Sequence, residues 1–379
     1  MLHAGGISAT EPPIDSLAPS KQNALRPQPT TTPGGPHIAA TQWVRALTVT
    51  PWTERALDRL SVIAESATPD AKPRVLAVFD RSCYAGLGPD LLFCFGHPEI
   101  GRAPLNLLVD LPAGTNFEKL GVQKGGAFGK DGGALRLGPL RILLAGAKSW
   151  TPPRPIIQAT DAKAFDGRLK TLANVVKSYE NPPGLGSLAR PALSGRATAS
   201  LPPLAARALP YVRHFSEGLD KGDAALLRKG AKGLVGLGPG LTPAGDDLLG
   251  GWLTSLRSAE GWGFSRRELD RAAAEVRALA AGKTSLISEA LLRCAVAGAS
   301  SESIHNLLNL VLGEPRPEGA AFLARAVLGL SRRGHSSGWD ALAGICWGLR
   351  SLSLRLNRME TRLEFPSSRS PAFESHAGF

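Results

Sequence analysis

Arg74-Val-Leu-Ala-Val-Phe79, Leu91-Leu-Phe-Cys-Phe95, Leu105-Asn-Leu-Leu-Val-Asp110 and Arg136-Leu-Gly-Pro-Leu-Arg-Ile-Leu-Leu144 decide the fold class. Their length, their Gly and Pro flanks and their residue types suit strands. From Trp150 onward the apolar period becomes helical. Helices fit 163–180, 285–298, 303–313, 318–332 and 340–358, and Ser265-Arg-Arg-Glu268 reads as a capping box ahead of Leu269, Ala273, Val276 and Leu279. The expected class is α+β, with a β-rich domain over 72–150 and a mostly α-helical domain over 151–358. A helix-like stretch from Thr41 to Glu65, broken at Pro51, makes 39–71 a helical lead-in. Asn181 to Pro203 reads as a long loop. Residues 1–38 are rich in Pro, Ser, Thr and Gly and cannot bury enough apolar surface to offset their ordering entropy, so a disordered tail is expected there and again over 359–379.

The 379 residues are 43% apolar and 20% charged, enough to build a core over two to three domains. No apolar run approaches the roughly 18 residues needed to cross a bilayer; Leu135 to Ala147 is interrupted by Arg136 and Arg141. The N-terminus lacks the pattern of a secretory signal, which leaves a soluble cytoplasmic protein as the expectation. Cys83, Cys94, Cys294 and Cys346 lie far apart in apolar surroundings and read as small core residues rather than a disulfide or zinc framework. The formal charge of +12 suits a small anion or an acidic partner. No nucleic-acid-binding signature accompanies it.

Chemistry concentrates in Gly236-Leu-Gly-Pro-Gly-Leu-Thr-Pro-Ala-Gly-Asp-Asp-Leu-Leu-Gly-Gly251. Glycines let a main chain approach a ligand closely, and N–H groups at a helix start attract anions. Gly238, Gly240, Thr242 and Gly245 are therefore candidate substrate contacts. Asp246 and Asp247 are candidate catalytic residues and candidate ligands for a divalent cation such as Mg, or for a substrate amide. The competing reading is a glycine-rich turn in which Thr242 or Asp246 caps a helix beginning near Leu248. Gly334-His-Ser-Ser-Gly-Trp-Asp-Ala-Leu-Ala-Gly344 echoes this loop: both contain G-x-D-x-L-x-G, pairing Asp247 with Asp340 and Gly251 with Gly344. The two helix starts are expected to meet across one site, with Ser336, Ser337 and Asp340 in it and His335 as a candidate proton donor. Lys283-Thr-Ser-Leu-Ile-Ser288 opens another helix; Thr284 or Ser285 serves as its cap, or the hydroxyls, Thr284 and Ser288 among them, line the same polar pocket with Lys283.

Other matches fail on context. Gly334-His-Ser-Ser-Gly338 has the spacing of a nucleophile elbow, but a helical segment precedes it and the one later histidine is His376. Gly129-Lys130 lacks the P-loop glycine and hydroxyl, because Lys124 and Asp131 occupy those positions; 121–139 reads as a hairpin loop. His97-Pro-Glu99 is followed by no P-C-x-x-C and reads as a turn between strands.

The two loops, together with Gly101-Arg-Ala-Pro-Leu-Asn106 and Thr284-Ser-Leu-Ile-Ser288, resemble the AllH-type subunit family of oxamate carbamoyltransferase, a former domain of unknown function. The resemblance runs from about Arg74 to Leu349. Two departures are Ala244, where the family commonly has serine, and the long N-terminal tail. It implies a role in allantoin and purine degradation: phosphorolysis of an oxalurate-like N-carbamoyl amide to oxamate and carbamoyl phosphate. It also implies partner subunits and a small anionic substrate or phosphate. A non-catalytic accessory or scaffold subunit is the alternative.

Overall fold

Alternation along the apolar runs builds one sheet. The computed structural model describes residues 41–66, 72–112, 114–155, 157, 162–195, 200–314 and 318–364; the tail expected at 1–38 lies outside them. Among these residues the strands are β1 (Gln42–Val49), β2 (Arg74–Val78), β3 (Ser82–Gly86), β4 (Leu92–Gly96), β5 (Asn106–Val109), β6 (Phe128–Asp131), β7 (Ala134–Leu137), β8 (Leu140–Leu143) and β9 (Lys148–Ser149). Their order is β2-β3-β4-β5-β1-β8-β7-β6, with β9 beside β1. β4 is buried on both faces, which explains its uninterrupted apolar sequence. Phe93 and Phe95 enter one core with Leu107, Phe128 and Leu135. Leu92 and Cys94 face a second cluster with Ile287, Ala290 and Cys294 of the helical region.

The helices are α1 (Pro51–Ser66), α2 (Ala162–Lys177), α3 (Ala189–Ser194), α4 (Pro203–Lys221), α5 (Ala224–Leu234), α6 (Ala244–Ser258), α7 (Arg266–Ala280), α8 (Leu286–Val296), α9 (Glu302–Leu312), α10 (Gly319–Ser331) and α11 (Ser337–Glu364). The fold is α+β, sheet first and helices after, as the sequence predicts. Sheet and helices belong to one compact unit. No helix among the described residues is long and apolar enough to cross a membrane. All four cysteines are buried and free.

Several elements differ from expectation. Residues 42–49 are not helical: β1 lies mid-sheet between β5 and β8, burying Val44 and Ala46 on one face and, past a register shift between Ala46 and Thr48, Val49. Pro51 does not break a helix but starts α1, where its missing N–H costs nothing. The Thr50 hydroxyl accepts from Thr53 N–H at 3.1 Å to cap it. The sheet-bearing part thus begins at Gln42, and 39–71 is not a separate helical lead-in. Residues 121–139 do form a hairpin, β6–β7, and 98–100 form one helical turn between β4 and β5. The stretch 181–203 is not all loop, since it contains α3, whose C-cap glycine is Gly195. α11 runs past the expected boundary through 359–364, and Glu360 accepts a hydrogen bond from Ala162 N–H at 2.6 Å. The remainder of the expected tail, 365–379, lies outside the described residues.

α6 and α11 form the central helix pair. They can approach because Gly251 and Gly344 carry no side chain. A Cβ on Gly251 would sit 2.1 Å from the Ala341 carbonyl oxygen, and one on Gly344 would sit 1.8 Å from that of Leu248. Each of those carbonyls belongs to the residue after the partner helix's aspartate. The repeated D-x-L-x-G is therefore the steric signature of a pseudo-two-fold helix crossing.

Candidate functional site

The crossing sets the starts of α6 and α11 side by side. Both begin earlier than the sequence predicts, at Ala244 and Ser337, so Asp246, Asp247 and Asp340 lie within first turns. There a carboxylate is favoured by the helix dipole. Neither Thr242 nor Asp246 caps α6; its N-cap is Pro243, without a side-chain bond. The Thr242 hydroxyl instead lies 3.0 Å from that of Ser337, joining the two helix starts.

The three acids differ in what surrounds them. Asp246 is an internal brace. Its Oδ1 accepts from Gly236 N–H at 2.8 Å, and its Oδ2 accepts from Ser288 Oγ at 2.7 Å and from the Thr284 hydroxyl. Ser285 caps α8 by accepting from Ser288 N–H at 3.0 Å, and its hydroxyl donates to the Leu241 carbonyl. Thr284 and Ser288 thus fix the glycine loop to α8 through Asp246. Both oxygens of Asp246 accept hydrogen bonds from within the protein, and consecutive helical side chains diverge by about 100°. Among the described residues no group of three or more His, Cys, Asp or Glu is placed to hold a metal.

Asp340 is fully buried. Its Oδ1 accepts from Leu185 N–H at 2.5 Å, and its Oδ2 is buried without a partner. Burial pushes its carboxyl up to about 6, with the Leu185 N–H and Ser336 drawing it partly back. Gly184 makes this contact possible. It has φ +63°, and a Cβ there would fall 2.3 Å from Asp340 Oδ1.

Asp247, half-buried, also carries an oxygen without a partner. Its Oδ2 is buried and no donor reaches it. Burial raises its pKa well above the usual carboxylate range, Asp340 and Asp246 add to the shift, and the Ser337 and Thr242 hydroxyls oppose it. The shift is toward the neutral acid, the direction found in sites that keep a carboxyl protonated for use as a donor.

The glycine loop is less free than an anion cradle requires. The N–H groups of Gly236, Leu237 and Gly245 are taken by Asp246, the Leu234 carbonyl and the Leu237 carbonyl. Gly245 is a packing residue, since its Cβ would lie 2.1 Å from the Leu234 oxygen. A Cβ on Gly238 would crowd Ala244, whereas Gly240 faces open space. The carbonyl of Ser336 accepts the N–H groups of Trp339 and Asp340 to begin α11, and His335 is exposed in the turn before it.

Sequence reasoning missed the partners of this cluster. Arg333 follows α10 and donates through Nη1 to the Ile100 carbonyl at 3.3 Å. Tyr84 of β3 and Cys94 of β4 face the same region from the sheet, and burial pushes the Cys94 thiol up to about 12. The one sequence signal for this seam is the turn Gly101–Asn106, which Asn106 Nδ2 closes by donating to the Gly101 carbonyl at 2.8 Å. A cleft of about 570 Å³ opens alongside, between Ala77 and Phe79 of the sheet edge, Lys124, and Leu241 of the glycine loop.

Fold and site define an α+β protein in which the crossing of α6 and α11 gathers Asp246, Asp247 and Asp340 at two adjoining helix starts. Residues 234–349, the segment holding both glycine loops, match the model of the family described as oxamate carbamoyltransferase subunit AllH. No curated protein and no solved structure matches the chain.

Proposed function

We propose that this chain is a subunit of a carbamoyltransferase-like enzyme that phosphorolyses an N-carbamoyl amide of the oxalurate type. Its share of that enzyme is the substrate site at the starts of α6 and α11. In the reaction a hydrogen phosphate oxygen attacks the carbamoyl carbon and the bond from that carbon to the amide nitrogen breaks. The nitrogen takes up a proton, giving oxamate and carbamoyl phosphate. Asp247 delivers that proton and is reset by the one the phosphate gives up. The Thr242 and Ser337 hydroxyls orient the carbamoyl group.

The observation that supports this reading is the buried, unpartnered Oδ2 of Asp247, on a carboxyl that burial holds toward its neutral form. The likeness of 234–349 to a named enzyme subunit supports a place in an assembly, with other subunits as partners. No step calls for a cation on Asp246. The test is carbamoyl phosphate formation from oxalurate and phosphate by the purified chain, alone and combined with the subunits that copurify with it. Activity is expected only in the combination. Full turnover by the chain alone would make it a stand-alone transferase, and undiminished turnover by the partners without it would make it an accessory subunit.

A further inference from the structure

One side of the sheet is bare at β1, β8 and β7. Ladder register sets Trp43 of β1 opposite Arg141 of β8, and Arg141 opposite Arg136 of β7, so a single row runs Trp43–Arg141–Arg136 across three strands. In the next row Arg45 lies opposite Leu143. Val44, Ile142 and Leu135, on the alternate positions, enter the core on the other side. α8 covers the bare side farther along, where Leu92 and Cys94 of β4 meet Ile287, Ala290 and Cys294, but Trp43 stays 62% exposed, Leu47 38% and Leu143 36%. A large aromatic left in water on an inner strand, beside two exposed leucines, gives the fold nothing and marks an interaction surface. The arginines carry a second cost, since like charges directly opposed on neighbouring strands are unfavourable. Arg141 is offset by Asp131, whose carboxylate lies 2.6 Å from its Nε. Arg45 and Arg136 are exposed and form no ion pair among the described residues. Lys148 of β9, the register partner of Thr48, is a further exposed cation, and Asp110, whose N–H bonds the Arg45 carbonyl, is the second acid. Cations outnumber acids on this face, around a bare tryptophan.

We propose that this face docks an acidic surface of another subunit, with Trp43 seated in an apolar pocket there and Arg45, Arg136 and Lys148 meeting carboxylates around it. Tryptophan and arginine are enriched among the residues that anchor interfaces, and an aromatic centre with a charged surround is the anatomy of such a contact. Other occupants fit less well. A second copy would bring the same positive face against itself. Nucleic acid takes successive stacking aromatics, whereas this face offers one and sets Asp131 and Asp110 against the phosphates. Residues 1–38 hold two acids and two bases and supply no complementary charge. The proposal rests on the reading of the chain as an enzyme subunit and names where and by what chemistry the partner is held.

The test is biolayer interferometry of the full chain against each purified subunit that copurifies with it, with oligothymidylate as a nucleic-acid probe. One subunit is expected to bind at least tenfold more weakly to W43A and to R136E, with a smaller loss for R136Q, at unchanged urea midpoints, and to weaken as salt is raised. M359A, at an exposed apolar residue of α11, is expected to bind as wild type. Wild-type affinity in both W43A and R136E would overturn the proposal, as would a wild-type chain that binds none of these subunits. It would equally be overturned by a dimer of the chain alone that W43A dissolves, or by oligothymidylate binding that W43A removes. A Trp43 shielded from hydroxyl-radical oxidation until residues 1–38 are deleted would give the face to the chain's own N-terminus instead. An assembly that forms through this face yet makes no carbamoyl phosphate would sink the transferase reading and leave the docking surface in place. One that makes it at full rate while W43A and R136E bind as wild type would do the reverse.

Discussion

Replacing Gly344 by alanine puts a methyl group 1.8 Å from the Leu248 carbonyl oxygen and 2.9 Å from the Trp252 nitrogen. Both neighbours are main chain of α6, so neither can rotate away. Restoring ordinary contact requires α6 and α11 to part by roughly 1.5 Å, and interiors at crystal-like density transmit such a shift rather than absorb it. Overpacking usually costs 1–3 kcal/mol. With backbone on both sides and Leu248, Trp252, Leu342 and Ile345 all fully buried at the crossing, about 3–4 kcal/mol is expected. G251A, against the Ala341 carbonyl, should behave alike. G329A is the control: Gly329 lies in α10 with nothing within 4 Å of its Cβ, and alanine there should stabilise by about 0.5–1 kcal/mol. Urea unfolding followed by tryptophan fluorescence reports on this region, since Trp252 and Trp347 stack at 5.8 Å beside the crossing. A G344A midpoint within about 0.5 kcal/mol of wild type would refute the close crossing, and with it the paired placement of Asp247 and Asp340.

The remaining predictions concern the acids and thiols. Asp340 titrates near 6 in the fold and near 3.9 when unfolded, so the folded state binds more protons between those values and stability falls as pH rises through that window. D340N keeps the acceptor for Leu185 and should raise stability at pH 7.5 by roughly 2–3 kcal/mol, flattening the pH profile of the urea midpoint; an unchanged profile would count against a buried ionisable Asp340. D246A strands the donors of Gly236, Thr284 and Ser288 and should cost about 3–5 kcal/mol, whereas D247N, an amide in place of a neutral acid, should stay within about 0.5 kcal/mol of wild type. Equal losses in thermal unfolding would erase the distinction between brace and chemical group. Cys83, Cys94, Cys294 and Cys346 are buried with raised pKa values and should resist iodoacetamide at pH 8 until denaturant is added; rapid native alkylation seen by mass spectrometry would contradict their burial.

Much of this architecture is legible in the residues because sterics wrote it there. The apolar runs at 74–144 read as strands since each buries at least one face. The repeated D-x-L-x-G was legible because only glycine fits where each helix meets the other's carbonyl. β1 was not: Gln42–Val49 becomes a strand through pairing with β5 and β8, distant in sequence, and its neighbour α1 lends it a helical look. The roles of the adjacent acids were equally hidden, because nothing local says that Gly236, Thr284 and Ser288 would all donate to Asp246 while Oδ2 of Asp247 receives no donor.

The central claim is that Asp247, as a neutral acid, supplies the proton in a carbamoyl transfer, and it rests most directly on one rate. That rate is carbamoyl phosphate formation from oxalurate and phosphate at neutral pH by assemblies carrying wild-type chain or D247N, matched for urea midpoint and for subunit content. A general acid contributes about 10²–10⁴ to a rate, so D247N is expected to lose at least two orders of magnitude while oxamate still binds. A D247N assembly working at the wild-type rate would contradict the account and return Asp247 to the status of a buried helix-start acid.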